Sequence, residues 1–418
     1  MSQAAPGLGI RLARSLSARI RHVRGSPLLS PVARRARLAE QAGHPIEEAH
    51  KPHLLEAIDW LVRAQDATPD DGFARGYSLI WHPYFRSQGW QASYPETTGY
   101  IIPTIYSAAR MLGRPDLANR ATRAAQWEIA VQLENGAVQG GVIGQKPTPA
   151  IFNTGQVIFG WLAALEETGD NSFEDAVRRA GAFLVSVERD GEWIKGNSDF
   201  ARKDATAYNA RAAWALAEAG RVLHESRFTD AAARILQSVA ASQHDNGWFP
   251  DCCLNDPKRP LLHTLAYTVR GMIEGGRVLA DDTLLSAGKK AAAALAARVR
   301  DDGWMPGRFD ADWQPQVEWS CLTGEAQMAN NWMRLTEITG DAGWLEPVPN
   351  VLRFLKHRQD RKSFNRGLRG GMLGSSPIDG EYGRYELLNW ATKYFADALM
   401  RHDAGGTLLG LPAVSRLA

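Results

Sequence analysis

The sequence predicts an all-α protein, an (α/α)6 toroid built from six helical hairpins. Three observations lead to this prediction. Apolar stretches rich in small residues begin at similar motifs about every 57 residues. A more polar, amphipathic stretch precedes each of them, and most of these polar stretches end at a glycine turn that is often followed by an aromatic residue. Six such copies without distinct polar terminal faces fit a closed ring better than an open solenoid.

The apolar stretches are predicted to be the inner helices of the ring. Three of them begin at a Thr-Gly pair, and the spacing of the pairs leaves room for two further copies between the second and the third. Those copies lie at Tyr208 to Trp214 and at His263 to Tyr267, and a sixth begins at Leu388. The three pairs are Thr98-Gly99, Thr154-Gly155 and Thr323-Gly324.

The polar stretches are predicted to be the outer helices, each with one face in solvent. The apolar spacing of Val177, Ala180 and Leu184 is typical of this arrangement. Long loops join each outer helix to the next inner helix, so all of them lie at one mouth of the ring. We predict outer helices at 54–65, 116–133, 173–187, 228–243, 283–299 and 344–357.

The chain divides into a leader at 1–44, the toroid at 45–402 and a tail at 403–418. The first 39 residues contain eight arginines and no acidic residue before Glu40, which predicts a disordered leader. A short basic helix that lies on an anionic membrane is the alternative. Forty-eight Lys and Arg against forty-six Asp and Glu give a net charge of +2, which argues against a nucleic-acid partner.

The compartment is predicted from the cysteines and from the absence of targeting signals. Three cysteines cannot form a disulfide framework in a chain of 418 residues. No apolar run is long enough for a membrane span, and the N-terminus lacks a standard signal peptide. We therefore expect a cytoplasmic protein, with peripheral contact to the inner membrane face through the leader as an option.

The first turns of the inner helices are predicted to converge on a cavity at the mouth. Threonine and asparagine there are explained equally well as helix caps. Larger polar and aromatic groups are not preferred caps, and together they suit recognition of a sugar. The candidate site residues are Tyr94, Glu96, Asn153, Gln156, Tyr208, Asn209, Arg211, His263, Tyr267, Arg270, Glu318, Trp319, Glu325, Gln327, Asn389, Trp390 and Lys393.

Two arrangements of catalytic groups are compatible with the sequence. Glu96 with Glu318 or Glu325 would form the carboxyl pair that glycoside hydrolysis requires. Alternatively, His263 with Tyr208 or Tyr267 would abstract a proton beside a neutralised carboxylate, as in a uronate lyase or epimerase. Glu96 is the first choice for a catalytic acid or base in either arrangement.

The remaining large groups are predicted to bind the substrate. Arg211, Arg270 and Lys393 would hold a carboxylate, and Trp319 and Trp390 would stack on sugar rings.

We expect neither a metal nor a cofactor. The segment Asp251-Cys252-Cys253, with His263, has zinc-ligand types, but no second Cys-x-x-Cys pair accompanies it. The sequence also lacks a P-loop, a dinucleotide fingerprint and a serine-hydrolase elbow.

With six hairpins counted, the chain resembles the six-hairpin (α/α)6 superfamily, which includes glycoside hydrolases, polysaccharide lyases and sugar epimerases. Ser93 to Tyr100, Pro260 to Thr264 and Leu388 to Lys393 resemble a bacterial group associated with surface-polysaccharide gene clusters. This resemblance covers most of residues 50–402. It implies an enzyme that acts on an oligo- or polysaccharide by hydrolysis, elimination or epimerisation. The three predicted cations favour an anionic substrate, and the expected cytoplasmic location would suit a lipid-linked one.

Two other functions are compatible with a helical toroid. The Gly-Trp turns resemble those of terpene cyclases and protein prenyltransferases, but Asp310-Ala311-Asp312-Trp313 has tryptophan at the last place of the cyclase acid motif. A glycan-binding protein without catalysis would have the same aromatic lining and would not need Glu96 or His263.

Overall fold

The computed structural model describes residues 25–193, 207–253 and 256–404 and confirms the predicted all-α toroid. Within these residues, helix α1 (Pro31–Ala42) precedes six outer and six inner helices that alternate along the chain. The outer helices are α2 Lys51–Asp66, α4 Pro115–Val131, α6 Asn171–Ser186, α8 Ser226–Ala241, α10 Asp282–Ala296 and α12 Val348–Arg358. The inner helices are α3 Pro95–Leu112, α5 Ile151–Thr168, α7 Ala210–Leu223, α9 Leu262–Leu279, α11 Leu322–Thr339 and α13 Asn389–Asp403.

The inner helices form a closed ring. Each one packs against the next in chain order, and α13 packs against α3. The outer helix α2 packs against α13, so the first and last helices of the toroid form its sixth hairpin. In the described part of the chain, no helix is long and apolar enough to cross a bilayer.

Short turns at one end of the ring and long loops at the other follow from the local sequence. After α3, α5 and α11, a glycine with positive φ ends the helix, at Gly113, Gly169 and Gly340. The predicted last outer helix at 344–357 is divided into a 3-10 turn, Ala342–Leu345, and α12. Pro347 lies between the two and has no backbone N–H to continue a helix.

The repeated threonine holds the loop that precedes its inner helix. In three repeats its Oγ1 accepts a hydrogen bond of 2.9 Å from a loop backbone N–H. In the fifth repeat, Glu325 Oε1 accepts the N–H of Met305 at 2.8 Å, and Thr323 Oγ1 has no partner among the described residues. The three threonine pairs are Thr98 with Phe73, Thr154 with Val138 and Thr392 with Met372.

The glycine that follows the threonine lets neighbouring inner helices approach closely. A Cβ at Gly99 would lie 2.5 Å from Cα of Val157, and one at Gly155 would lie 2.7 Å from Cα of Ala212. These distances leave no room for a side chain. The Thr-Gly signature is therefore explained by packing within the ring.

A small sheet at the mouth joins the first long loop to the last. Strands β1 (Gly76–His82), β2 (Ser87–Trp90) and β7 (Glu386–Leu388) are antiparallel in the order β2-β1-β7, and Tyr77 lies opposite Leu387. This sheet bridges the seam where the ring closes. Two further pairs of short strands are β3 Glu188–Arg189 with β4 Glu192–Trp193, and β5 Ser320–Cys321 with β6 Ser375–Ser376.

The structure differs from the predicted leader over residues 31–42. Ser30 caps α1 by accepting the N–H of Ala33 at 3.2 Å, and Pro31 supplies the first helical position. Ala33 and Glu40 are buried against the toroid, and Glu40 accepts a hydrogen bond from Ser376. Composition alone predicted disorder because it ignored this capping signal. Residues 1–24 and most of the predicted tail, 405–418, lie outside the described residues, as do residues 194–206 between α6 and α7.

Candidate active site

Aromatic rings from several inner helices meet at the mouth of the toroid. Tyr208, just before α7, stacks on Phe152 of α5 with ring centroids 4.2 Å apart. Its ring lies 6.0 Å from Tyr267 of α9, which lies 6.1 Å from Tyr394 of α13. Tyr394 in turn lies 5.7 Å from Tyr100 of α3. These five rings form an aromatic layer, and Tyr208 and Tyr267 are two of the residues predicted for the site.

Glu96 lies in the first turn of α3, partly buried beside this layer. The Tyr94 hydroxyl donates a hydrogen bond of 2.5 Å to Glu96 Oε2, and Asn153 in turn hydrogen bonds with Tyr94. Burial raises the pKa of Glu96 to about 7, although the Tyr94 hydrogen bond and the charge of Arg75 both lower it. Both forms of the Glu96 carboxyl are therefore populated near neutral pH.

His263, in the first turn of α9, is buried and has a defined tautomer. Its Nδ1 lies 2.9 Å from Gln327 Oε1. Because a carbonyl oxygen can only accept, Nδ1 carries the proton and Nε2 is left as an acceptor. Burial lowers the pKa of His263 to about 4, partly offset by the Gln327 hydrogen bond, and the charge of Arg211 lowers it further. The imidazole is thus neutral at pH 7.

Two tyrosines lie beside His263. The His263 ring lies 4.5 Å from Tyr267 and 5.3 Å from Tyr382, centroid to centroid. Burial raises the pKa of both tyrosines, and the charge of Glu96 raises each pKa further. The charge of Glu96 therefore acts on the two rings beside His263. That Glu96 and His263 act on one substrate stays a prediction.

The three predicted carboxylate-binding cations have partners within the protein. Arg211 and Lys393 lie against the aromatic layer, and Arg270 lies over Trp214. Arg211 Nε donates to Gln156 Oε1 at 2.7 Å, and its guanidinium lies 5.3 Å from the Tyr267 ring centroid. Lys393 Nζ lies 2.5 Å from Asp397 Oδ2. The charge of Lys393 is therefore balanced by a buried carboxylate, and Arg211 is hydrogen bonded to a side-chain amide.

Arg270 is also paired within the protein. Its guanidinium lies 3.1 Å from Glu274 Oε1. The cavity between Arg211 and Arg270 has a volume of only about 10 Å³, which is the size of a single water site. A sugar carboxylate would not fit into this space without rearrangement.

The carboxyl groups proposed as partners for Glu96 have other surroundings. Glu325 is fully buried, and its Oε1 accepts from Ser320 Oγ at 2.5 Å as well as from the Met305 N–H. Burial raises the pKa of Glu325 to about 8. Glu318 is exposed in the loop before α11. Glu325 thus serves as a loop anchor, the role that threonine has in other repeats.

The predicted stacking and amide residues divide between the mouth and the packing of the loops. The Trp390 indole N–H donates to the Tyr382 hydroxyl at 2.7 Å, so this ring lies at the mouth. Trp319 packs directly against Gly307, so closely that a Cβ at Gly307 would lie 2.3 Å from the Trp319 ring. Asn389 Nδ2 donates to Thr97 Oγ1 at 2.7 Å and ties α13 to α3. Asn209 is buried at the end of the 3-10 turn Ala207–Asn209.

Sequence reasoning missed two residues at the mouth. Tyr382 contacts both His263 and Trp390 from the last long loop, and Arg75 lies with its guanidinium 5.0 Å from the Trp390 ring centroid. Arg75 also pairs with Glu386 at 3.1 Å. Because these residues lie in loops rather than at repeated helix positions, the repeat register could not identify them.

A cleft of about 920 Å³ opens beside the mouth. Trp390, Tyr382, Arg75 and Glu386 line it on the side of the ring. Residues 25–27 form part of another wall. The cleft is near the upper end of the usual size range of ligand sites, about 300–1,000 Å³, so it has room for more than one sugar ring.

The possible zinc ligands around His263 do not gather into a site. Cys252 Sγ lies 2.8 Å from Thr268 Oγ1, and burial raises the pKa of the Cys252 thiol to about 12. His263 is directed to Gln327 instead. Among the described residues, His50, His402 and Asp403 bring metal-type ligands together, but at the opposite end of α13 from the mouth.

No family model matches the sequence, and no curated protein matches it either. Solved structures share its fold. An unsaturated glucuronyl hydrolase from Bacillus sp. GL1 superposes with a TM-score of 0.67 at 15% identity, over 85% of this chain and 97% of that one. A cellobiose 2-epimerase from Bacillus thermoamylovorans gives 0.64 at 11% identity, over 84% and 98%. A sugar epimerase from a ruminal bacterium gives 0.62 at 16% identity, over 84% and 98%.

Proposed function

We propose that this protein is a carbohydrate-active enzyme whose reaction takes place at the mouth of the toroid. Its structural neighbours are described as glucuronyl hydrolases and sugar epimerases, which supports a sugar substrate. The Trp390 and Tyr382 rings line the cleft and suit the apolar faces of sugar rings. The volume of the cleft suits an oligo- or polysaccharide.

The central residue of the proposal is Glu96. A general acid or base works best when its pKa is near the working pH, because it then both donates and accepts protons readily. The partly buried Glu96 carboxyl, with its pKa of about 7 and its hydrogen bond from Tyr94, meets this condition. This single observation carries the proposal.

The reaction type that this geometry supports best is proton transfer at a sugar carbon. In an elimination, a base removes the ring proton, a double bond forms and the leaving oxygen departs with a proton from an acid. In an epimerisation, one group removes the proton and another returns it on the opposite face. Glu96 and the unprotonated Nε2 of neutral His263 are suited to these two roles. Tyr208, whose ring lies 6.0 Å from that of Tyr267, is the third candidate.

Hydrolysis by a pair of carboxyl groups has less support. Glu325 is engaged in holding a loop, and Glu318 is exposed. The two mechanisms make opposite predictions for Glu318, since a carboxyl pair would need it and proton transfer from Glu96 and His263 would not.

We also propose a cytoplasmic location. The three cysteines are buried free thiols, which fit a reducing compartment.

The test is an assay of neutral and uronic-acid oligosaccharides with the wild type, Glu96→Gln and Glu318→Gln. Ultraviolet absorbance reports unsaturated products, reducing-end chemistry reports hydrolysis, and NMR reports a change of configuration. We expect absorbance or epimerisation, a loss of about 100-fold or more in Glu96→Gln, and less than about a twofold change in Glu318→Gln, which serves as the exposed-carboxyl control. New reducing ends without absorbance, lost in both variants, would overturn proton transfer in favour of hydrolysis.

A further inference from the structure

The segment that enters the toroid carries three exposed leucines. The exposed fractions are 71% for Leu28, 62% for Leu29 and 67% for Leu38. Leu28 and Leu29 belong to the 3-10 turn Pro27–Leu29, and Leu38 lies in α1. Few other large apolar side chains in the described part of the chain are exposed to this degree, so these leucines form an apolar surface that packing within the chain does not explain.

Basic side chains lie on the same face of α1 as Leu38. Arg34 and Arg35 precede it by four and three residues, so the three side chains share one side of the helix. Both arginines are exposed and have no acidic partner among the described residues. The opposite side contains the buried Ala33 and Glu40. We name the exposed set, Leu28, Leu29, Arg34, Arg35 and Leu38, the leader surface.

The charge of the preceding chain has the same sign. Residues 1–24 add five arginines and no acidic residue. Exposed leucines interspersed with unpaired arginines complement an anionic lipid surface, where the apolar groups enter the boundary of the acyl chains and the cations meet the headgroups. Nucleic acid would use the arginines and would gain nothing from the leucines.

We propose that the leader surface binds anionic membranes peripherally. Residues 25–27 line the cleft beside the candidate active site, so binding would bring the opening of the cleft close to the bilayer. A glycan attached to a membrane lipid would then be within reach. Membrane binding itself does not depend on the proposed reaction.

The test is co-sedimentation of the full-length protein with vesicles of phosphatidylcholine alone and of equimolar phosphatidylcholine and phosphatidylglycerol. We expect the wild type to bind the anionic vesicles and to release them at high salt. Arg34→Glu with Arg35→Glu should weaken partitioning at least tenfold, because each cation near an anionic surface contributes to binding. Replacing the three leucines by serine should have an effect of similar size.

Matched controls test whether the loss of binding is specific to the leader surface or follows from any change in surface charge or apolar area. Arg179→Glu with Lys290→Glu makes the same charge change at exposed positions of α6 and α10. Phe364→Ser removes a fully exposed aromatic side chain from the loop after α12. Both controls should bind as the wild type does, and thermal unfolding should be unchanged in all variants.

Three results would overturn the proposal. The wild type could fail to bind anionic vesicles, or binding could survive both sets of changes in the leader surface. Alternatively, the protein could bind duplex DNA and not vesicles. If the arginine variant then lost DNA binding while the leucine variant kept it, the leader surface would be a nucleic-acid surface.

Discussion

The Tyr94 hydroxyl donates a hydrogen bond of 2.5 Å to Oε2 of Glu96, two residues further along the chain. Tyr94 is the residue before α3 and Glu96 lies in its first turn, so the helix start fixes both side chains. The bond stabilises the carboxylate form against the burial that favours the neutral acid. Glu96 is thereby kept near the midpoint of its titration at neutral pH.

Removing this hydrogen bond should raise the pKa of Glu96. In Tyr94→Phe, burial acts on the carboxyl without the opposing hydrogen bond, so we expect the pKa to move above 7. A pH–rate profile that depends on the carboxylate should move to higher pH by the same amount. Tyr84→Phe, at an exposed tyrosine, is the control and should leave the profile unchanged. An unchanged profile in Tyr94→Phe would mean that Glu96 does not determine it.

The neutral state of His263 should depend on Gln327. In Gln327→Glu, a carboxylate would face Nδ1 and raise the pKa of His263 above its value of about 4. We expect a higher midpoint in a histidine-ring NMR titration, and about tenfold lower activity at neutral pH that recovers as the pH rises. Gln327→Met removes the hydrogen bond without adding charge, so the pKa of His263 should not rise in this variant. A midpoint that does not rise in Gln327→Glu would contradict the assigned contact.

The repeated threonine should contribute to stability where it holds a loop. Thr154→Val leaves the buried N–H of Val138 without its acceptor, which should cost about 1–3 kcal/mol of unfolding free energy. Thr323→Val makes the same change where Oγ1 has no partner among the described residues and should cost less than about 0.5 kcal/mol. Urea unfolding of both variants measures the difference. Equal losses would contradict the assigned role of the threonine.

Glu325 should make stability fall as the pH rises. Its folded pKa of about 8 lies above its ordinary value, so its favourable contribution is complete below about pH 4.5 and is lost as the pH rises through 8. Glu325→Gln keeps the acceptor for Met305 but cannot ionise. Relative to this variant, we expect the wild type to lose about 4 kcal/mol between pH 5 and pH 9 in urea unfolding. Parallel stability curves would show that Glu325 titrates normally.

The ring and its mouth could be predicted from the sequence because the repeat encodes both packing and register. Gly99 and Gly155 mark close helix contacts, and the same register led to Glu96 and His263. The two arginines and the lysine were predicted to bind substrate because their positions converge. Arg270 and Lys393 instead pair with Glu274 and Asp397, each four residues further along the same helix, a spacing that the sequence already contained. Only the partner of Arg211, Gln156 on a neighbouring inner helix, depends on a contact between repeats.

Tyr382 and Arg75 could not be predicted because the loops that carry them do not repeat. Their positions depend on the sheet that joins the first and last long loops. Glu325 was misleading for a related reason. Its residue type suits catalysis, and only the contact with Met305 identifies it as the replacement for a threonine acceptor.

The most direct test of the central claim is a titration of the Glu96 carboxyl by carbon-13 NMR of glutamate-labelled protein, with Glu96→Gln to assign its signal. We predict a resonance that titrates near pH 7 in the wild type and is missing from the variant. A midpoint near the ordinary glutamate value, about 4.3, would contradict the account, because Glu96 would then hold no proton to donate at neutral pH.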